Sequence, residues 1–139
     1  MPPRDAYLVT DMLKGVIESG TGRAARGLPV ESAGKTGTSD RNMDAWFIGY
    51  TPEIVTGVWL GFDKGMPLGR SETGGKIAAP LWYDFMKRSL KIHPAEKKKF
   101  SVPDGVVFLP MDAVSGEIKE KEGKGVVMTA FKKEMLPGR

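Results

Sequence analysis

The sequence predicts an α+β fold, an antiparallel sheet packed with helices, and three observations predict it. Two stretches with apolar residues at helical spacing bracket a run of short, aromatic-rich strands. Two of those strands are joined only by Thr51-Pro52-Glu53, a connection too short for a parallel crossover, so they must run antiparallel. Past the second helix, two further short strand patterns, Val106 to Leu109 and Val126 to Phe131, form a small β tail.

The first helix is expected from about Ala6 to Ser19. Val9, Met12, Leu13, Val16 and Ile17 share one face, Lys14 and Glu18 lie on the other, Asp5 serves as the N-cap, and Gly20-Thr21-Gly22 is the stop. Gly22 to Pro29 reads as loop. Strand patterns follow from Val30, with Ala45 to Thr51 a short aromatic strand. In the next strand Ile54, Thr56, Val58, Leu60 and Phe62 make a bulky face suited to lie under helices. Its other face, Val55, Gly57, Trp59 and Gly61, alternates bulk with glycine, as where a ring or backbone comes close. Asp63 to Lys76 is glycine-rich and read as loop. The second helix runs from about Ala78 to Leu90, with Pro80 in its first turn and Leu81, Trp82, Phe85, Met86 and Leu90 as the apolar stripe. His93-Pro94 ends it. Glu96 to Lys99 reads as a solvated charged connector, and Asp112 to Gly116 as a plain turn without the alternating carboxylates of a calcium loop.

Composition narrows the functional classes. The chain has 139 residues, 40% hydrophobic and 27% charged, which suits one globular domain, or one domain with a tail, and is too apolar for disorder. A net charge of +4 is too mild to indicate nucleic acid, and neither a basic helix nor an aromatic-basic stacking pattern is present. With no cysteine, disulfides and thiolate metal sites are excluded. No apolar run reaches the roughly 18 residues a membrane-spanning helix needs. The single histidine, His93, sits in a helix-exit loop, so its residue context does not favour a catalytic role.

Chemistry concentrates at Ala33-Gly34-Lys35-Thr36-Gly37-Thr38-Ser39, for which three readings compete. Gly34-Lys35-Thr36 matches the end of a phosphate-binding loop, but the upstream glycine position holds Pro29 and no helix follows to direct a dipole at phosphate. Ser32-Ala33-Gly34-Lys35 has the form of a Ser-x-x-Lys acyl-transfer pair. On a strand, however, residues three apart point to opposite faces, roughly 10 Å from each other. The third reading is a substrate-binding wall. Thr36 and Thr38 lie on one face and can grip a carboxylate, Lys35 brings positive charge, and Gly37 clears space for a peptide to lie along the strand edge.

Lys35-Thr36-Gly37-Thr38 does not stand alone. The helix ending at Gly20-Thr21-Gly22-Arg23-Ala24-Ala25, the blocks Asp44 to Pro52, Val55 to Gly61, Leu68 to Gly75, and Ala79-Pro80-Leu81-Trp82 to Met86 follow in order. From about Tyr7 to Val107 the chain resembles the C-terminal part of the transpeptidase domain of class A, bifunctional penicillin-binding proteins of the 1A type. The resemblance implies a partial serine β-lactamase/D,D-peptidase-like fold, with residues 1–95 as the end of that domain and 96–139 as linker and β tail. It implies a D,D-transpeptidase that cross-links peptidoglycan stem peptides by serine acyl transfer on the extracytoplasmic, periplasmic side of the inner membrane. β-Lactams would be its inhibitors, and it would use neither cofactor nor metal. Lys35 would be catalytic, sharing proton handling with a Ser-x-Asn serine. Thr36, Gly37 and Thr38 would bind substrate, with the Thr38 N–H as an oxyanion donor. The family's serine motifs precede the Lys-Thr-Gly strand, and neither is present here in usable form. The chain is therefore expected to be a fragment that is inactive alone, whose natural partner is the missing remainder of the transpeptidase domain, and to cover its exposed sheet by pairing with another copy or by rearranging its tail. Two non-enzyme readings stay open: a structural or interaction module, and a basic nucleic-acid-binding domain.

Overall fold

A computed structural model describes residues 1–136. The chain forms two compact units, one of residues 13–100 and one of residues 1–12 together with the segment from Ser101 on. Helix α1 (Pro3–Glu18) contributes to both.

α1 starts earlier than the sequence suggests. Pro3 opens it, since its fixed φ and missing N–H suit the first helical position, and Ala6 N–H already bonds Pro2 O at 3.1 Å. Asp5 is consequently not the N-cap. It lies within the first turn, where its carboxylate pairs with Lys132. The glycine stop is as expected: Ser19 and Gly20 N–H both reach Gly15 O, at 3.0 and 3.1 Å, and Gly22 N–H reaches Val16 O at 3.0 Å.

In the larger unit, β1 (Ala33–Thr38), β2 (Asp44–Tyr50) and β3 (Val55–Gly61) form an antiparallel sheet in that order, so β1 and β3 are its edges. The register pairs Thr36 with Phe47, Lys35 with Ile48, and Trp46 with Trp59. Helix α2 (Ala79–Ile92) packs on the face carrying Phe47 and Gly49. There Trp82, Phe47, Ile17 and Met86 are fully buried, with Leu28, Ile54, Val58 and Leu60 packed around them. Phe47 and Trp82 rings meet at 5.2 Å, and the Trp82 indole N–H bonds Thr56 O at 3.1 Å, which satisfies the only polar atom of that side chain. Gly49 is required because a Cβ would lie 2.7 Å from the Trp82 ring. Burying an aromatic side chain of this size contributes about 3 kcal/mol.

Three further expectations need correction. On α1, Val9 and Met12 are 43% and 67% exposed, and the buried positions are Tyr7, Thr10 and Ile17, so the predicted apolar face is only partly the one that packs. The α2 stripe was drawn too wide. Ala79, Trp82, Met86 and Leu90 are buried, whereas Leu81 and Phe85 are 48% and 53% exposed. A helix on a three-stranded sheet seals one line of residues, and the adjacent line at 81 and 85 lies beyond it. Nor is Glu96 to Lys99 a free connector. Glu53 accepts the Glu96 and Lys97 N–H groups, each at 3.1 Å, and Glu31 N–H bonds Lys98 O at 2.8 Å. Glu31 Oε2 then accepts Phe100 N–H at 2.9 Å, while the Phe100 ring meets Tyr50 edge-on at 5.5 Å. The charge run hid this, because the bonds run from its backbone and not from its lysines.

The smaller unit is the hairpin β4 (Val106–Asp112) and β5 (Val126–Lys132), antiparallel throughout, with the start of α1 against it. Asp11 accepts Ala130 N–H at 2.9 Å, Tyr7 packs edge-on to Phe108 at 6.1 Å, and Arg4 pairs with Glu134 at 2.8 Å. The Asp112 turn is an Asx turn. Its carboxylate accepts Ser115 and Val114 N–H at 2.8 and 3.0 Å, and these bonds hold it below the usual carboxylate range.

Candidate active site

The site is built on β1 because β1 is an edge. Ser39 N–H bonds Asp44 O at 3.0 Å, making that a hydrogen-bonded pair. Bonded and non-bonded pairs alternate along an antiparallel ladder, so Gly37–Trp46 and Lys35–Ile48 are bonded too. The backbone N–H and C=O of Thr36 and Thr38 therefore turn to the open edge, where an extended peptide can add as a fourth strand. Lys35 shows the same edge in use, its Nζ donating to Thr36 O at 2.9 Å.

Alternation separates the side chains as well. Thr36 and Thr38 lie on the face shared with Phe47 and Ala45, and Lys35 lies on the opposite face with Ile48. The two threonines line a cleft of about 510 Å³ together with Thr21, Thr73, Gly75 and Lys76. Lys35 is not among the lining residues. Thr36 and Thr21 hydroxyls are 2.8 Å apart, and Thr38 Oγ1 accepts the Gly74 N–H at 3.0 Å.

The far wall of the cleft is a segment that sequence reasoning left as loop. Gly74 to Ala78 form one π turn leading into α2. Gly74 lies against the backbone of β1 and β2, where a Cβ would collide with the carbonyl oxygens of Gly37 and Trp46. Gly75 lies equally close to Thr21 O. The paired glycines were the available signal, since adjacent glycines mark backbone packed on backbone. Asn42 supplies the second anchor. It adopts φ 54° in the β1–β2 turn, accepts Leu68 N–H at 2.8 Å, and donates from its amide to Gly69 O and Arg70 O at 3.0 and 3.1 Å. Lys76 is held by Ser71 Oγ and Glu72 Oε1, both at 3.0 Å.

The rejected motifs are resolved by the same geometry. β1 is followed by a single 3-10 turn, Asp40–Asn42, with no helix to receive phosphate, and Ser32 precedes a strand and not a helical turn. His93 closes α2, its N–H bonding Ser89 O at 2.7 Å. Among the described residues, no group of three or more His, Asp or Glu could hold a metal ion, and no helix is long and apolar enough to cross a membrane.

An antiparallel sheet with a helix packed on one face and an open edge strand is an α+β arrangement, and likeness to known proteins supplies its class. Residues 1–87 match the family described as penicillin binding protein transpeptidase domain. The chain is 42% identical over 135 residues to penicillin-binding protein 1A of Pseudomonas aeruginosa, covering 96% of this chain. It is 45% identical over 121 residues to the protein of the same name from Neisseria lactamica, covering 86%. All of this chain superposes on the crystal structure of penicillin-binding protein 1A from Haemophilus influenzae, with a TM-score of 0.80 and 30% identity, over 22% of that chain. The chain belongs to the penicillin-binding protein transpeptidase family. It spans 16% of the length of the Pseudomonas relative and 14% of the Neisseria one.

Proposed function

We propose that this chain supplies the substrate-binding wall of a peptidoglycan D,D-transpeptidase, with residues 1–95 forming the C-terminal portion of its catalytic domain. The observation that carries the reading is the open edge of β1, with the Thr36 and Thr38 hydroxyls on one side of it and the Lys35 ammonium on the other. A stem peptide lying along that edge meets backbone donors and acceptors in register. The attacking serine comes from a part of the domain outside these residues. It forms an ester with the acyl carbon of the D-Ala-D-Ala amide, the leaving D-alanine takes the proton, and a second amine then accepts the acyl group. Lys35 eases the serine-side proton transfer, and the Thr38 N–H stabilises the oxyanion of the tetrahedral intermediate. β-Lactams occupy the same edge and stop at the ester. The reaction belongs on the periplasmic side of the inner membrane, where stem peptides are.

Labelling with a fluorescent penicillin, followed by a denaturing gel, tests this. The chain alone is expected to give no covalent band. The intact protein carrying it is expected to label, with labelling lost on Lys35→Ala and reduced at least tenfold on Thr36→Val with Thr38→Val, since each loses a hydrogen bond to a charged group, worth about 1.5–3 kcal/mol. A band from the chain alone, or full labelling of those variants, would refute the reading.

A further inference from the structure

The hydroxyl side of β1 has a cation of its own, and it is not Lys35. Among the described residues, Lys76 is the only ionisable side chain lining the cleft. Three of its neighbours there carry hydroxyls whose bonds can be counted. Thr38 Oγ1 accepts the Gly74 N–H, so its own proton is left to donate. Thr21 and Thr36 share one hydrogen bond between two hydroxyls, which leaves one proton between them. Lys76 gives two of its three protons to Ser71 and Glu72. Three donors thus remain around one cavity, with no carboxylate in its lining. That set suits an oxyanion with several acceptor sites, a carboxylate above all.

We infer that Lys76 is a specificity residue that reads the substrate's carboxylate together with Thr36 and Thr38. This rests on the transpeptidase reading above and divides the labour of the two lysines. Lys35, on the far face, handles the proton, and Lys76 supplies the charge that the carboxylate answers. Ser71 and Glu72 position the ammonium by spanning it from the loop before the π turn, and the close packing of Gly74 on the sheet fixes that turn relative to Thr38. Both lysine and site are open to water, so the contact is screened and its effect moderate.

The test is acylation of the intact protein by a penicillin with a free carboxylate and by its methyl ester. Lys76→Gln is expected to slow acylation by the acid about tenfold while leaving the ester rate unchanged, and Lys76→Arg to restore the acid rate. Lys76→Met, which keeps the aliphatic stem, should behave as Lys76→Gln does. Equal losses on acid and ester would show a structural role and overturn the assignment, as would no loss on either. If the wild-type protein is acylated by neither compound, the transpeptidase reading fails first and the assignment with it.

Discussion

Gly74→Ala is the substitution that most directly tests whether the π turn holds the cleft together. An added Cβ would fall well inside contact distance of the Trp46 and Gly37 carbonyl oxygens, and 3.1 Å from Gly37 N. Those are backbone atoms of two paired strands, so no side-chain rotation can relieve the clash. Overpacking of this kind costs about 1–3 kcal/mol. Pushing the turn outward also breaks the Gly74 N–H bond to Thr38 Oγ1, worth about 1 kcal/mol more. The expected loss is therefore about 2–4 kcal/mol, or roughly 6–12 °C in Tm for a chain of this size. Urea unfolding followed by tryptophan fluorescence measures it, with Gly57→Ala as the control. Gly57 is also in the sheet, but its nearest neighbour to a new Cβ is Ile48 Cγ1 at 3.7 Å, an ordinary contact, and it should change stability by no more than about 0.5 kcal/mol. In the intact protein, Gly74→Ala should lower penicillin acylation as well. If the two variants unfold at the same urea concentration, the turn is not packed as described and the cleft has no rigid far wall.

Trp82→Ala removes the largest fully buried side chain together with its hydrogen bond to Thr56 O, so a loss of about 3–5 kcal/mol is expected by the same denaturation assay. Glu31 makes stability depend on acid. Burial pushes its carboxyl up, but the Phe100 N–H and the Lys14 ammonium outweigh this and hold it below its ordinary value of 4.5. A depressed carboxylate stabilises the fold above that value, and the contribution is lost as pH falls through the folded pKa. Glu31→Gln should therefore be about 1 kcal/mol less stable at pH 7 and show no deficit once the wild-type carboxylate is protonated, read from unfolding curves between pH 7 and pH 3. On the face away from α2, Trp46, Ile48 and Trp59 are 43%, 51% and 46% exposed, so the chain by itself is expected to self-associate through this sheet. A strict monomer by light scattering at high concentration would count against that.

Periodicity and connection length, both local properties, determined most of the fold. The helical spacing of Leu81, Trp82, Phe85, Met86 and Leu90 marked α2 while drawing its buried side too wide, Thr51-Pro52-Glu53 left β2 and β3 no choice but antiparallel pairing, and alternation put Thr36 and Thr38 on one face. These depend on residues near each other in the chain, and they were legible without coordinates. What only the tertiary structure decided was long-range. Nothing local to Thr73-Gly74-Gly75-Lys76 says that it folds back onto β1, or that Thr21 comes to lie 2.8 Å from Thr36. Nor could Glu31 and Glu53 be foreseen as the anchors of residues 96–100, since their partners are backbone N–H groups that every residue but proline carries. A sequence names its side chains, but which backbone groups meet across the fold is settled by packing, and here packing placed the second lysine in the cleft.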